Sequence, residues 1–161
     1  DIPAWGISTA DYHEEGLGGE KLGNFPTVFL VREKTGKEVL QALKQGRMYA
    51  CRTGENFQRF ELNDFSISDS NTNNRLSMGE TIELKDKPEI RLSVSSSDQS
   101  AHNVDVRVIR SGELIKTISK TTPFVVDFKD DYFNPGELIY YRLDIPGKLV
   151  SNPIFVKFSR E

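Results

Sequence analysis

The stretch Val104-Asp105-Val106-Arg107-Val108-Ile109-Arg110-Ser111-Gly112-Glu113-Leu114-Ile115-Lys116-Thr117-Ile118 decides the fold. Valines at 104, 106 and 108 recur with period two, and charged residues fill the positions between them. In a pleated strand that spacing sends the valines to one face and the charges to the other. Ser111-Gly112 then separates Val104–Arg110 from Glu113–Lys120, and two turn-type residues between two runs predict a β-hairpin.

The same alternation recurs on both sides. It is carried by Phe60 and Leu62, by Ile82 and Leu84, by Ile90, Leu92 and Val94, and by Phe124 to Phe128. It continues through Ile139 to Ile145 and Ile154 to Phe158. Met78-Gly79, Lys87-Pro88, Asn134-Pro135-Gly136 and Pro146-Gly147 punctuate these runs. Many short strands with regular turns predict an antiparallel sandwich or barrel with one wet face. Val106, Val108, Tyr141, Leu143, Val156 and Phe158 are the expected core. The polar run from Asp69 to Arg75 reads as a loop. It lacks the closing glutamate of an EF-hand, so it is not read as a calcium site. Ser93 to Ser100 reads as a strand end followed by a loop.

Upstream of about residue 52 the pattern changes to strand, loop, strand, helix. Ala4 to Ser8 is expected to be a short buried strand. Glu14 to Gly23 is a charged, glycine-rich loop, and Thr27 to Arg32 is β-branched enough for a strand. Thr35-Gly36-Lys37-Glu38 has the form of a capping box. Val39, Leu40 and Leu43 share one helical face with Ala42, and Gly46 supplies a left-handed stop. The helix is therefore predicted over Gly36 to Gln45. Ile7, Val28, Leu30, Val39 and Leu43 are expected to contact one another or the sandwich. Arg52 to Asn56 reads as a linker or turn.

Composition narrows the function classes. The chain has 161 residues, 28% of them charged, with a net charge of −3 and both signs interspersed. A nucleic-acid binder needs a basic stripe, and none is present. No polybasic membrane contact and no apolar run of spanning length appear. Cys51 is the sole cysteine, which excludes an internal disulfide and a thiolate zinc site. Its setting after Tyr49 and Ala50 reads as a buried small apolar residue.

Asp11-Tyr12-His13 is the one site-like cluster. A carboxylate and an imidazole two residues apart can face one ion and suit zinc, manganese or iron. Two ligands are too few for a closed site, and local chemistry alone favours a solvated loop. His102 lies in a second polar loop and reads as solvated. Gly16-Leu17-Gly18-Gly19 lacks the Lys-Ser/Thr ending of a phosphate cradle, and no Gly-x-Ser-x-Gly elbow exists. Trp5 and Tyr12 are the aromatics placed to line a site.

The order of these segments resembles the C-terminal end of the PHP family, named for its polymerase and histidinol phosphatase members. Those proteins are metal-dependent phosphoesterases on a distorted (β/α) barrel. Thr9-Ala10-Asp11-Tyr12-His13 is similar to their last metal-binding motif, Ser-Asp-x-His, with Ala10 where serine is frequent. The helix and Gly46-Arg47-Met48-Tyr49-Ala50 resemble the segment that closes the barrel. Tyr140-Tyr141-Arg142-Leu143, Ser151-Asn152-Pro153-Ile154-Phe155-Val156 and Val108-Ile109-Arg110-Ser111-Gly112 resemble an immunoglobulin-like domain that follows it in one branch.

The resemblance implies that Asp11 and His13 are partial metal ligands. It also implies a divalent metal (zinc, manganese or iron) in an intact parent enzyme, with none firmly expected here. The family's His-x-His motif and middle ligands are absent from this sequence, so no complete catalytic set is expected. The combined expectation is a mostly β chain. Residues 1–52 would be a short α/β remnant of a PHP-like barrel, and residues 53–161 an immunoglobulin-like antiparallel β-sandwich serving as an accessory or docking domain. Expected partners are the remainder of the barrel and, through the strand edge at Thr27–Arg32, a second copy; neither nucleic acid nor membrane is expected. The parent is expected to be soluble and bacterial, exported or not. The rival expectation is a free-standing module that binds protein or carbohydrate, and an intact small enzyme ranks last.

Overall fold

The computed structural model describes residues 3–10, 12–19, 21–54, 56, 58–69 and 74–160. Twelve strands and one α-helix are assigned among them. Near the N-terminus lie β1 (Thr27–Phe29), α1 (Gly36–Gln45) and β2 (Met48–Cys51). Then follow β3 (Phe60–Asp69), β4 (Arg75–Ser77), β5 (Thr81–Leu84), β6 (Pro88–Ser96), β7 (Asn103–Arg110), β8 (Glu113–Thr121) and β9 (Phe124–Lys129). The chain closes with β10 (Leu138–Ile145), β11 (Leu149–Ser151) and β12 (Ile154–Phe158).

The strands form two sheets. The smaller has the order β4-β3-β6-β9 and is antiparallel throughout. The larger has eight strands centred on β10, with β7 and β8 on one side. On the other side β10 meets two partners in succession: Asp144 and Ile145 pair with β11, and Leu138 to Tyr141 pair with β12. Asn152-Pro153 separates β11 from β12, so this edge forks. β11 carries β2 and then β1, while β12 carries β5 in the single parallel pairing of the sheet.

Alternation explains the core. Val106, Val108, Tyr141, Leu143, Val156 and Phe158 are all fully buried, as expected from their period. They pack against Phe65, Ile67, Ile90, Leu92 and Val94 of the smaller sheet in one apolar cluster. The mostly β, two-sheet sandwich read from the sequence is therefore the observed architecture. The β7–β8 hairpin turns at Ser111 (φ 46°) and Gly112 (φ 92°), and two successive positive φ values are what a type I′ turn requires. Between the sheets, the Asp130 carboxylate accepts from Arg110 Nη1 at 2.8 Å and from the Tyr141 hydroxyl at 2.6 Å. Arg110 also lies 4.1 Å over the Tyr132 ring.

The helix follows its sequence signals closely. The Thr35 hydroxyl accepts from Glu38 N at 3.3 Å, which is half of the capping box. At the other end Gly46 is left-handed (φ 73°), and Arg47 N donates to Ala42 O at 3.0 Å, the outer bond of a Schellman motif.

Three expectations need correction. Ala4 to Ser8 forms no strand. Its backbone bonds go to side chains instead: Gly6 N donates to Asn152 Oδ1 at 2.8 Å, Asn152 Nδ2 donates to Gly6 O at 3.2 Å, and Ser8 N donates to Thr27 Oγ1 at 2.9 Å. Side-chain acceptors offset the same backbone desolvation as a ladder would. Second, the apolar face of α1 is only partly covered, with Val39 half-buried. Ala42 is buried, but Leu40 and Leu43 stay 59% and 38% exposed, and Ile7 is 53% exposed. Val28 and Leu30 do pack on the core. Third, Met48–Cys51, where no strand was read, is a strand of the larger sheet, with Cys51 facing Leu149 and Tyr49 facing Ser151, and residues 52–54 after it lie outside any strand, as a linker or turn would.

Candidate functional site

The loop after Ser8 holds the residues singled out for metal chemistry. Asp11 lies outside the described residues. His13 is exposed, as are its neighbours Glu14 and Glu15. The Tyr12 hydroxyl donates to Glu15 Oε2 at 3.3 Å, and Leu22 N donates to the same oxygen at 3.4 Å, so Glu15 ties the loop to itself. Among the described residues, no three His, Cys, Asp or Glu side chains come together in a set that could hold a metal ion. The described donors do not by themselves fit a zinc, manganese or iron centre, and no metal-dependent step follows from them.

The loop is nevertheless anchored. Thr53 Oγ1 donates to Asn24 O at 3.3 Å, Asn24 Nδ2 donates to Gly19 O at 3.3 Å, and Arg52 sits 5.7 Å over the Phe25 ring. The segment leading into it is clamped by Asn152, which is buried between β11 and β12. His13 thus stands on a loop whose root is gripped by the sandwich.

A second feature lies where α1 meets the larger sheet. Trp5 covers the helix end: its Nε1 donates to Lys44 O at 3.0 Å, and a Cβ on Gly46 would fall 2.5 Å from its ring. The Phe155 ring stands 6.2 Å from Trp5 and 6.4 Å from Tyr140, edge-on in both cases. A groove of about 370 Å³ runs along this seam between Trp5, Phe155, Lys44, Arg47 and Glu80. Its base is set by Gly79 (φ 83°), where a Cβ would lie 1.8 Å from the Gln45 carbonyl oxygen. Only glycine allows so close a backbone approach. Trp5 was named from the sequence alone as an aromatic placed to line a site. The row it forms was not, because its members come from residues 5, 140 and 155.

The third feature is at one end of the sandwich. His102 Nε2 lies 2.9 Å from Asp98 Oδ2, and its ring stands edge-on to Phe60 at 6.2 Å. These residues border a groove of about 410 Å³ shared with Gln58, Asp105, Pro146 and Lys148. Hydrogen bonds from Ser96, the Ser100 N–H and His102 hold the Asp98 carboxyl down at about 2. His102, read as solvated, is thus half-exposed and paired. Cys51 is buried, and burial raises its thiol to about 11, which leaves almost no thiolate near neutrality. This agrees with its reading as an apolar packing residue.

No family model matches the chain, and no curated protein matches it. Among solved structures it is similar to the fibronectin(III)-like modules of Clostridium thermocellum CbhA, at 16% identity over 63% of this chain and 99% of that chain. The TM-score of 0.30 is too low to add to what the two sheets already establish. No helix among the described residues is long and apolar enough to cross a membrane.

Proposed function

We propose that the chain is the C-terminal part of a PHP-like metal-dependent phosphoesterase, in which the β-sandwich is an accessory domain that docks to a catalytic barrel. The observation that carries this reading is the distribution of exposed apolar side chains. Leu22 is 71% exposed, and Ile7, Leu17, Phe25, Leu40 and Leu43 are exposed as well, so six of the eleven exposed large apolar side chains among the described residues fall within the first 43 residues, the other five (Leu114, Val125, Phe133, Leu138 and Val150) lying on the sandwich. Apolar area of that kind usually marks a covered face in the working protein. The Asp-x-His resemblance names what would cover it: the rest of a barrel, whose strands would bring the further ligands that Asp11 and His13 lack. In such an intact site Asp11 and His13 would be two of the ligands, and a divalent ion would supply Lewis acidity for phosphate-ester hydrolysis. The part played by this chain is to hold the His13 loop, through Asn152, Thr27 and Thr53.

The test is a chain extended upstream along its own reading frame. About 200 residues of βα repeats with a His-x-His motif are expected there, since a barrel needs roughly that length. The extended protein should hydrolyse a generic phosphate ester, lose that activity to a chelator and regain it with manganese or zinc. His13→Ala should reduce turnover at least about a hundredfold. An upstream frame without His-x-His, or hydrolysis indifferent to chelation and to His13→Ala, defeats the reading. The rival, a free-standing module for carbohydrate or protein, is favoured by the aromatic seam of Trp5, Phe155 and Tyr140. Its rings are inclined by 61° and 63°, which makes a stepped rather than a flat stacking surface.

A further inference from the structure

We propose that the outward face of α1 docks an acidic amphipathic helix from another protein domain. The proposal rests on the reading of the chain as a docked module, and not on what reaction the neighbouring domain performs. Lys37, Leu40, Gln41 and Lys44 stand at helical positions i, i+3, i+4 and i+7, so they form one stripe. All four are exposed, and Leu43 flanks them at 38% exposure. The stripe is framed by Arg32, Lys34 and Arg47.

Electrostatics separates this surface from the rest of the chain. Residues 32–47 carry five cations (Arg32, Lys34, Lys37, Lys44, Arg47) and two anions (Glu33, Glu38), a local charge of +3 on a chain of net −3. On the sandwich several arginines are matched within the fold, Arg59 to Glu61, Arg91 to Asp64 and Asp127, and Arg110 to Asp130, while Arg142 and Arg160 have no ion pair with a described carboxylate. None of the five cations around α1 has an ion pair with a described carboxylate. Arg47 adds a sharper sign. Its Nε is buried with no hydrogen-bond partner among the described residues, and the residue lines a polar groove of about 300 Å³ with Arg32, Glu38, Gln41, Gln45 and Glu80.

A leucine centre ringed by unpaired cations is complementary to a leucine stripe ringed by carboxylates. An anionic lipid surface offers the same charge but fits less well. Stable membrane binding needs a broad apolar face, whereas α1 offers two leucines with Gln41 between them, and Glu33 and Glu38 would meet the lipid phosphates.

The experiment uses this chain with a synthetic helix-forming peptide of about 18 residues, long enough to sample helix in water, with leucine on one stripe and glutamate beside it. Binding should shift the amide resonances of Leu40, Leu43 and Lys44 and leave β7 unmoved. Lys37→Glu with Lys44→Glu should weaken binding at least about tenfold without lowering the melting temperature. The same peptide with lysine for glutamate should bind only that charge-reversed variant. Leu40→Ser should weaken the glutamate peptide severalfold. No binding, shifts confined to other surfaces, or equal affinity in the charge-reversed variant would overturn the proposal, as would capture by phosphatidylserine vesicles with none by the peptide. The assay needs no catalytic domain, so its failure leaves the hydrolysis test of the extended chain standing.

Discussion

β7 and α1 carry equally regular apolar periodicity, yet they end in different environments. In β7, Val106 and Val108 are fully buried against the opposite sheet. In α1, Leu40 is 59% exposed although it falls where the helical period directs an apolar residue. Periodicity specifies a face, but burial needs a second surface, and within this chain only the sandwich supplies one. Net charge follows the same division, +3 over residues 32–47 on a chain of net −3.

The most direct way to break that comparison is to put a charge on each face. Val106→Asp buries an unpaired carboxylate and should cost about 4–5 kcal/mol or prevent folding. Leu40→Asp should change stability by no more than about 0.5 kcal/mol. Urea denaturation of both variants checks this, and similar losses would mean α1 is as integral as β7. Next in size is Asp130→Ala, which strands the mostly buried Arg110 and the Tyr141 hydroxyl and should cost about 3 kcal/mol. Asp130→Asn, which keeps an acceptor, should lose less.

The seam between the two regions gives a smaller and more local effect. Gly79→Ala drives a methyl into the Gln45 carbonyl at a positive φ and should cost about 2 kcal/mol. Amide exchange should quicken in α1 and β2 while β6 stays protected; uniform loss would show a single cooperative unit.

A pH dependence arises from β2 of the larger sheet. Burial raises the Cys51 thiol from 9.0 to about 11 and the Tyr49 hydroxyl from 10.0 to about 12. Both groups ionise first in the unfolded chain, which then holds fewer protons than the folded one, so stability falls as pH rises. The contribution is complete below about pH 9 and is lost between about pH 9 and 12. Denaturation midpoints should fall across that window, and Cys51→Ala should flatten the part between about pH 9 and 11.

The sandwich was legible because each core strand states its own alternation, and the hairpin because Ser111-Gly112 fits one turn type. The helix was legible down to Thr35 and Gly46 because caps are local chemistry. β2 and β11 were not. Met48-Tyr49-Ala50-Cys51 has no alternation to read, and Leu149–Ser151 is cut short by Asn152-Pro153. The clamp on Gly6 was hidden for a related reason: a polar Asn152 reads as a turn residue until its partner, 146 positions away, is known. For the candidate site, the sequence named His13 and Trp5 as residues of interest. It was silent on the seam groove and the unpaired Arg47, since both are assembled from segments distant in the chain.

The fork at Asn152-Pro153 has a consequence for biosynthesis. β2 leaves the ribosome about a hundred residues before β11, the strand that closes its edge. At translation speeds of about 5–20 residues per second, that edge waits roughly 5–20 seconds for its partner. Throughout that interval Gly6 also lacks Asn152, and the open strand is a template for pairing with other chains. The nascent protein is therefore most vulnerable early, at its N-terminal segment. A chaperone or an already folded upstream domain that shields Met48–Cys51 during those seconds would raise the yield of native chain without changing its final stability.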